Sequence, residues 1–204
     1  EYEENESLHY LALLEFWFGL ELDNLEAVEK VSRRWFIKDA DYDQESISLF
    51  GELPDAIKSG EYGSWRETDL GNLAAVIALD QFPRNMFRNQ PRSFSYDELA
   101  LARALEAIES GAASRLHPIE AVFLYMPLEH AENLDMQKQC VAGLQHLESS
   151  SAQSTEKIAG FTKYAFAHLE VIEKFGRFQH RNAILNREST DAEIEYLASG
   201  RGVF

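Results

Sequence analysis

The stretch DLGNLAAVIALDQF, Asp69 to Phe82, decides the fold. From Leu73 to Leu79 every residue is apolar, with no polar face left to turn toward water. Starting near Leu70 and reaching Pro83, the pattern predicts a helix buried on all sides, which needs other helices packed around it. The flanking sequence supplies them. Upstream, ESLHYLALLEFWFG (6–19) places Leu8, Leu11, Leu14, Trp17 and Phe18 on one broad stripe, with Ser7 expected as N-cap and Gly19 as stop. LDNLEAVEKVSRRWFIK (22–38) repeats the pattern through Leu25, Val28, Val31 and Trp35, and DYDQESISLFGELPDAIKSG (41–60) restarts at Pro54 and stops at Gly60. Pro83 is expected to end or kink the central helix.

Downstream, SYDELALARALEAIESG (95–111) opens with Ser95 and Glu98 in capping-box spacing and closes at Gly111. HPIEAVFLYM (117–126) carries Pro118 in a first turn, and NLDMQKQCVAGLQHL (133–147) takes Asn133 as cap. STEKIAGFTKYAFAHLEVIEKFG (154–176) reads as the longest helix, stopped by Gly176, and Thr190 with Glu193 forms a second capping box for DAEIEYLAS (191–199). No alternating run rich in Val, Ile and Thr occurs, and no fixed-period repeat. The expectation is one all-α domain over residues 1–204, more than half helical, with negligible strand.

With 45% hydrophobic content over 204 residues the chain can fill one core. The net charge is −16, and it is uneven: residues 1–61 hold 16 Asp and Glu against 5 Lys and Arg. Such a field repels polyanions, so nucleic acid and membrane surfaces are not expected partners. A lone Cys140 within a helical pattern reads as a buried thiol of a reducing compartment, which makes the cytoplasm the expected location. No apolar run approaches the roughly 18 residues needed to span a bilayer. The sequence begins at Glu1, so a processed leader would not be visible in it, and it leaves the oligomeric state open.

Five blocks in order, FWFG (16–19), WFIKDADYD (35–43), LDQFPRNMFR (79–88), FLYMPLEHAENLDMQ (123–137) and FGRFQHRNAILNREST (175–190), carry a resemblance. From about Leu11 to Phe204 the chain resembles the bacterial domain-of-unknown-function family numbered 924. The resemblance implies antiparallel helical hairpins in a compact tetratricopeptide-like right-handed superhelix, and it implies no established activity. Three positions depart from the family pattern: Ala131 stands for a serine, Gln179 for a proline and Asn186 for a glycine. The last two bear on loop geometry, since Asn is the residue most tolerant of positive φ after glycine.

The chemistry concentrates in two arginine windows, Arg84, Arg88, Arg92 and Arg177, Arg181, Arg187, each following a helix end and together holding half of the twelve arginines. Arginine presents a planar fork suited to carboxylate and phosphate. Asp80, on a very apolar helix one turn before Arg84, requires a cationic partner if buried. PLEHAEN adds Glu129, His130 and Glu132, and QHRN adds His180, whose arginine neighbours favour neutral imidazole. The candidate ligand-binding set is Asp80, Arg84, Arg88, Glu129, His130, Arg177, His180 and Arg181. On a count of Arg84, Arg88, Arg177, Arg181 and a charged His180 against Asp80, Glu129 and Glu132, a surplus of cations should attract an anion.

No catalytic residue, metal site or cofactor is assigned: only Glu6 with His9 has Glu-x-x-His spacing, and nucleophile-elbow, phosphate-loop, zincin and C-x-x-C signatures are missing. The cluster Trp17, Phe18, Trp35 and Phe36 is expected in the core. Two functions remain open. One is binding of a small anion, a carboxylate or phosphate metabolite, or an acidic peptide in an Arg/His-lined groove. The other is a tetratricopeptide-like protein-interaction scaffold in which the same polar residues are structural braces. Forks matched throughout by carboxylates would favour bracing; arginines converging on a reachable concavity would favour the groove.

Overall fold

The computed structural model describes residues 2–202 and 204, with side chains from residue 9 onward. Leu8, the side chain of Ser7 and the Glu6 partner of His9 therefore lie outside the described side chains. The described chain is 75% helical and contains no strand. Its helices are α1 (Tyr2–Phe18), α2 (Leu25–Phe36), α3 (Ala40–Phe50), α4 (Leu53–Ser59), α5 (Asp69–Met86), α6 (Asp97–Glu109), α7 (Ala112–Arg115), α8 (Pro118–His130), α9 (Leu134–Ser150), α10 (Thr155–Phe175) and α11 (Asp191–Ala198), with 3-10 turns at Gly63–Glu67, Pro91–Phe94 and Gln179–Arg181.

The helix read from DLGNLAAVIALDQF is the hub. α5 packs against α1, α3, α4, α6 and α8, and Leu73 to Pro83 is buried without interruption. α8 is the second helix buried on nearly all faces, from Ile119 through Glu129 apart from Glu120. Around this pair the rings of Trp17, Phe18, Trp35 and Phe161 pack on Phe123, with centroids 4.9–6.2 Å away, mostly edge to face. That geometry sets the positive ring edge against the negative face. Phe36 departs from expectation: it is exposed at the end of α2, as is Leu25 at its start, because a 12-residue helix lying on the surface keeps only Val28, Ser32 and Trp35 buried.

Several helix ends follow the sequence. Asn133 caps α9 through its side chain, Thr190 and Glu193 form the capping box of α11, and Gly60, Gly111 and Gly176 adopt left-handed φ after α4, α6 and α10. Asn186 sits at φ 53°, in the left-handed region. Others are corrected. α1 begins at Tyr2, upstream of Ser7, so Ser7 does not start it. α6 begins at Asp97 without a side-chain cap, and Ser95 Oγ instead donates to the Arg92 carbonyl at 2.9 Å. α5 continues through Pro83 to Met86, where the tight packing of its last turn holds a helix that proline alone would interrupt.

Gly143, inside α9, faces the ring of the largely buried Tyr125, and an added Cβ would overlap that ring. Helix propensity favours alanine by about 1 kcal/mol, but overpacking costs about 1–3 kcal/mol. Gly143→Ala is therefore expected to lower stability by about 1 kcal/mol. A urea midpoint raised above the parent's would show that Tyr125 yields freely.

Candidate functional site

The two buried helices each carry polar residues at the C-terminal end, and the fold brings these ends together. Asp80 of α5 is completely buried, 0% exposed. Its Oδ1 accepts from His130 Nδ1 of α8 at 2.8 Å, and its Oδ2 accepts from Gln81 Nε2 at 2.6 Å. Arg84, one turn on, lies 3.3 Å from Oδ1 and donates to the Asp80 carbonyl at 2.7 Å. Burial alone would push this carboxyl up; Arg84, His130 and the hydrogen bonds outweigh it and hold Asp80 down to about 2. The predicted partner for Asp80 is thus present.

Arg84 also forks onto Asp97, at 2.8 and 2.9 Å, its Nη1 being shared with Asp80. Asp97 is the first residue of α6, where the helix dipole also favours an anion. Sequence reasoning missed Asp97 because it placed the cap two residues earlier.

His130 is pushed below its ordinary range by burial and by Arg84, against the pull of Asp80. It is therefore a neutral imidazole whose Nδ1–H, the tautomer assigned from this bond, faces a carboxylate.

A second carboxylate–imidazole pair lies beside the first. His168 of α10, its ring 6.3 Å from that of His130, has Nδ1 2.8 Å from the Tyr164 carbonyl and 3.1 Å from Glu129 Oε1. Burial, and then the charge of Asp80, raise Glu129 to about 8, while burial lowers His168 to about 3 against the Tyr164 carbonyl. At neutral pH this is a pair of uncharged groups, not an ion pair. Glu129 Oε2 is also 4.0 Å from the Sγ of the buried free Cys140. His168 was not picked out in the sequence, yet a signal existed: it falls on the buried stripe Ile158, Phe161, Ala165, His168, Ile172, where a polar residue breaks the apolar rule.

The third contribution is the turn after α10. Arg181 is only 6% exposed and lies between the rings of Phe94 and Phe178, 4.7 and 4.6 Å from their centroids. Its Nη2 donates to the His130 carbonyl at 3.0 Å, its Nη1 is 3.6 Å from Asp97, and its Nε has no partner among the described residues. Burial and Arg84 push it down to about 10, opposed by Asp97, Glu132 and Asp80, so it remains a cation at neutral pH. His180 is lowered to about 4 by burial and Arg181, against a hydrogen bond with the Gly202 backbone. Its Nδ1 is buried and has no partner among the described residues, so the Gly202 bond uses Nε2.

Asp80, Arg84, Glu129, His130, His180 and Arg181 therefore come together, joined by Asp97 and His168. Arg88 and Arg177 do not. Arg88 forks onto Asp43 at 2.9 and 3.1 Å, and Arg177 onto Glu193 at 2.7 and 2.9 Å. Arg187 forks onto Glu132 at 2.7 and 2.9 Å, and Arg92 pairs with Asp55 at 2.7 Å. The expected surplus of cations is corrected accordingly. Two of its arginines are neutralised elsewhere, Glu132 belongs to Arg187, Glu129 and His180 are uncharged at neutral pH, and the centre sets Asp80 and Asp97 against Arg84 and Arg181. Among the described residues no group of three His, Cys, Asp or Glu is arranged to hold a metal ion, and no helix is long and apolar enough to cross a membrane.

The class defined by this fold is an all-α protein with a buried carboxylate–imidazole–guanidinium centre. Residues 13–201 match the model of DUF924, described as a bacterial protein of unknown function, and the chain belongs to that family. A solved structure of a protein of unknown function from Agrobacterium tumefaciens is similar, at 32% identity and a TM-score of 0.80 over 95% of this chain and 99% of that one. No curated protein matches the chain.

Proposed function

We propose that the protein binds a small anionic ligand, a carboxylate or phosphate metabolite, at Arg181 and His180. The observation that carries this reading is Arg181 itself: a buried guanidinium whose nearest carboxylate, Asp97, is already forked by Arg84, and whose Nε has no partner among the described residues. A buried guanidinium with an unmatched N–H favours an incoming anionic acceptor. Beside it, His180 Nδ1 offers a bare acceptor. A ligand with an anionic oxygen for Arg181 Nε–H and a hydroxyl, amine or acidic proton for His180 Nδ1 satisfies both. The net charge of −16 repels polyanions, so a small ligand is the better fit.

A second reading, an interaction scaffold braced by its arginines, draws support from the complete two-point pairing of Arg84, Arg88, Arg177 and Arg187. Calorimetric titration with acetate, glycolate and inorganic phosphate separates the two. Binding should weaken as salt rises, and Arg181→Ala should reduce it by more than tenfold while circular dichroism and the unfolding transition remain cooperative. Undiminished binding by Arg181→Ala, or binding indifferent to salt, would favour bracing.

A further inference from the structure

The aromatic surroundings of the same centre point to the kind of anion it takes. Phe204 lies flat on His168, with ring centroids 3.7 Å apart and planes at 22°. The rings of Phe178 and His180 stand around it, each 6.1 Å away and close to perpendicular, at 82° and 75°. The result is a slot with an imidazole floor and walls at Phe178 and His180, and the Phe178 ring carries the Arg181 guanidinium on its face. Despite this enclosure Phe204 is 43% exposed, so the slot opens to solvent on the side that the ring closes.

The segment bearing Phe204 is docked through narrow features. Gly202 has φ +68°, and a Cβ there would come within 2.5 Å of Gln179 Nε2 and 2.8 Å of the Tyr196 ring. Arg201 lies over the same Tyr196 ring at 4.8 Å.

Building on the assignment of Arg181 as an anion site, we infer that the ligand is an aromatic carboxylate whose ring takes the place of the Phe204 side chain on His168 while its carboxylate reaches Arg181. The chain's own phenyl ring marks the shape of the slot. A planar ring stacks on the neutral imidazole as Phe204 does, and its edges meet Phe178 and His180 in the geometry those rings already adopt. An aliphatic acid of similar bulk keeps the charge and forfeits the stacking, worth roughly 2- to 10-fold in affinity. The distance between slot and guanidinium makes tether length a second selector, so a series of aryl acids should show an optimum.

The test titrates the full chain with acetate, cyclohexanecarboxylate, benzoate, phenylacetate and 3-phenylpropionate. At least one aryl acid should bind several-fold more tightly than cyclohexanecarboxylate. Phe204→Ala should tighten that aryl acid by roughly 2- to 10-fold and leave acetate unchanged, because it empties the slot without touching Arg181. Gly202→Ala, which displaces the segment through Gln179 and Tyr196, should act in the same direction. Aryl and cyclohexyl acids of equal affinity would overturn the inference, and so would an aryl acid that binds more weakly to Phe204→Ala, which would make Phe204 a wall of the site. If acetate and every other anion fail to bind at all, the anion site at Arg181 itself is refuted and the aromatic preference falls with it.

Discussion

Asp80→Asn is expected to lower the stability of the protein by about 2–4 kcal/mol, because it removes one partner of a buried, hydrogen-bonded charge pair. Asp80 accepts on both oxygens, from His130 Nδ1 and Gln81 Nε2. The asparagine amide turns one of those contacts into a donor facing a donor, and a buried polar group left unpaired costs about 1–3 kcal/mol by itself. The change also leaves Asp97 as the sole close carboxylate for both Arg84 and Arg181. Because Asp97 still forks Arg84, the cost should stay at the lower end of what breaking a buried pair can reach. Chemical denaturation of variant and parent at pH 7 measures it, and equal midpoints would show that the pair is dispensable.

Glu129 should make stability fall as pH rises. Its carboxyl is at about 8 in the folded protein against an ordinary 4.5, so between those values the folded state binds more protons than the unfolded one. The stability that the protonated form contributes is fully present below pH 4.5 and is lost as pH climbs through 8, about 4–5 kcal/mol over the whole span. The histidines work in the opposite sense. His168 at about 3 and His180 at about 4 are depressed below 6.5, so they add stability as pH rises, a gain that is complete only about one unit above 6.5, where the unfolded histidines have lost their protons. Between pH 6.5 and 8 the Glu129 loss of about 2 kcal/mol outweighs the remainder of that gain, about 0.4 kcal/mol for each histidine. Denaturation midpoints at pH 6.5 and 8 should show that decline in the parent and a level or slightly rising response in Glu129→Gln; an equal slope in both would assign the titration elsewhere. Since the charge of Asp80 helps to raise Glu129, Asp80→Asn should also move the decline to lower pH.

Much of the architecture was legible because it depends on local regularities. The run Leu73 to Leu79 could only be a helix buried on all sides, and α5 is the hub of the fold. Thr190 with Glu193, Asn133 and the glycines after α4, α6 and α10 mark helix ends through contacts within a few residues. Asp80 was legible for a related reason: a carboxylate on such a helix requires a cation, and the nearest one is a turn away. Where reading failed locally, tertiary packing outweighed propensity, as when α5 runs through Pro83 or Phe36 turns to solvent.

The partners of the arginines were a different matter. That Arg88 meets Asp43, Arg177 meets Glu193, and Arg84 takes Asp97 while Arg181 receives only a share of it follows from which helix ends converge. Nothing in the spacing of one chain segment encodes a contact between residues on different helices. The charge states were hidden in part, because desolvation is a property of the assembled interior: the arginine neighbours of His180 pointed to a neutral imidazole, and nothing local did so for Glu129. Glu129 counts as an anion in composition and is a neutral acid in the fold, and His168, a polar break in the apolar stripe of α10, meets Glu129 only once that helix is packed. The sequence by itself thus determined an all-helical chain built around α5 and required a cation for Asp80; only the tertiary structure decided which cations remain to meet a ligand, since pairing and burial are set by distances that the folded chain alone defines.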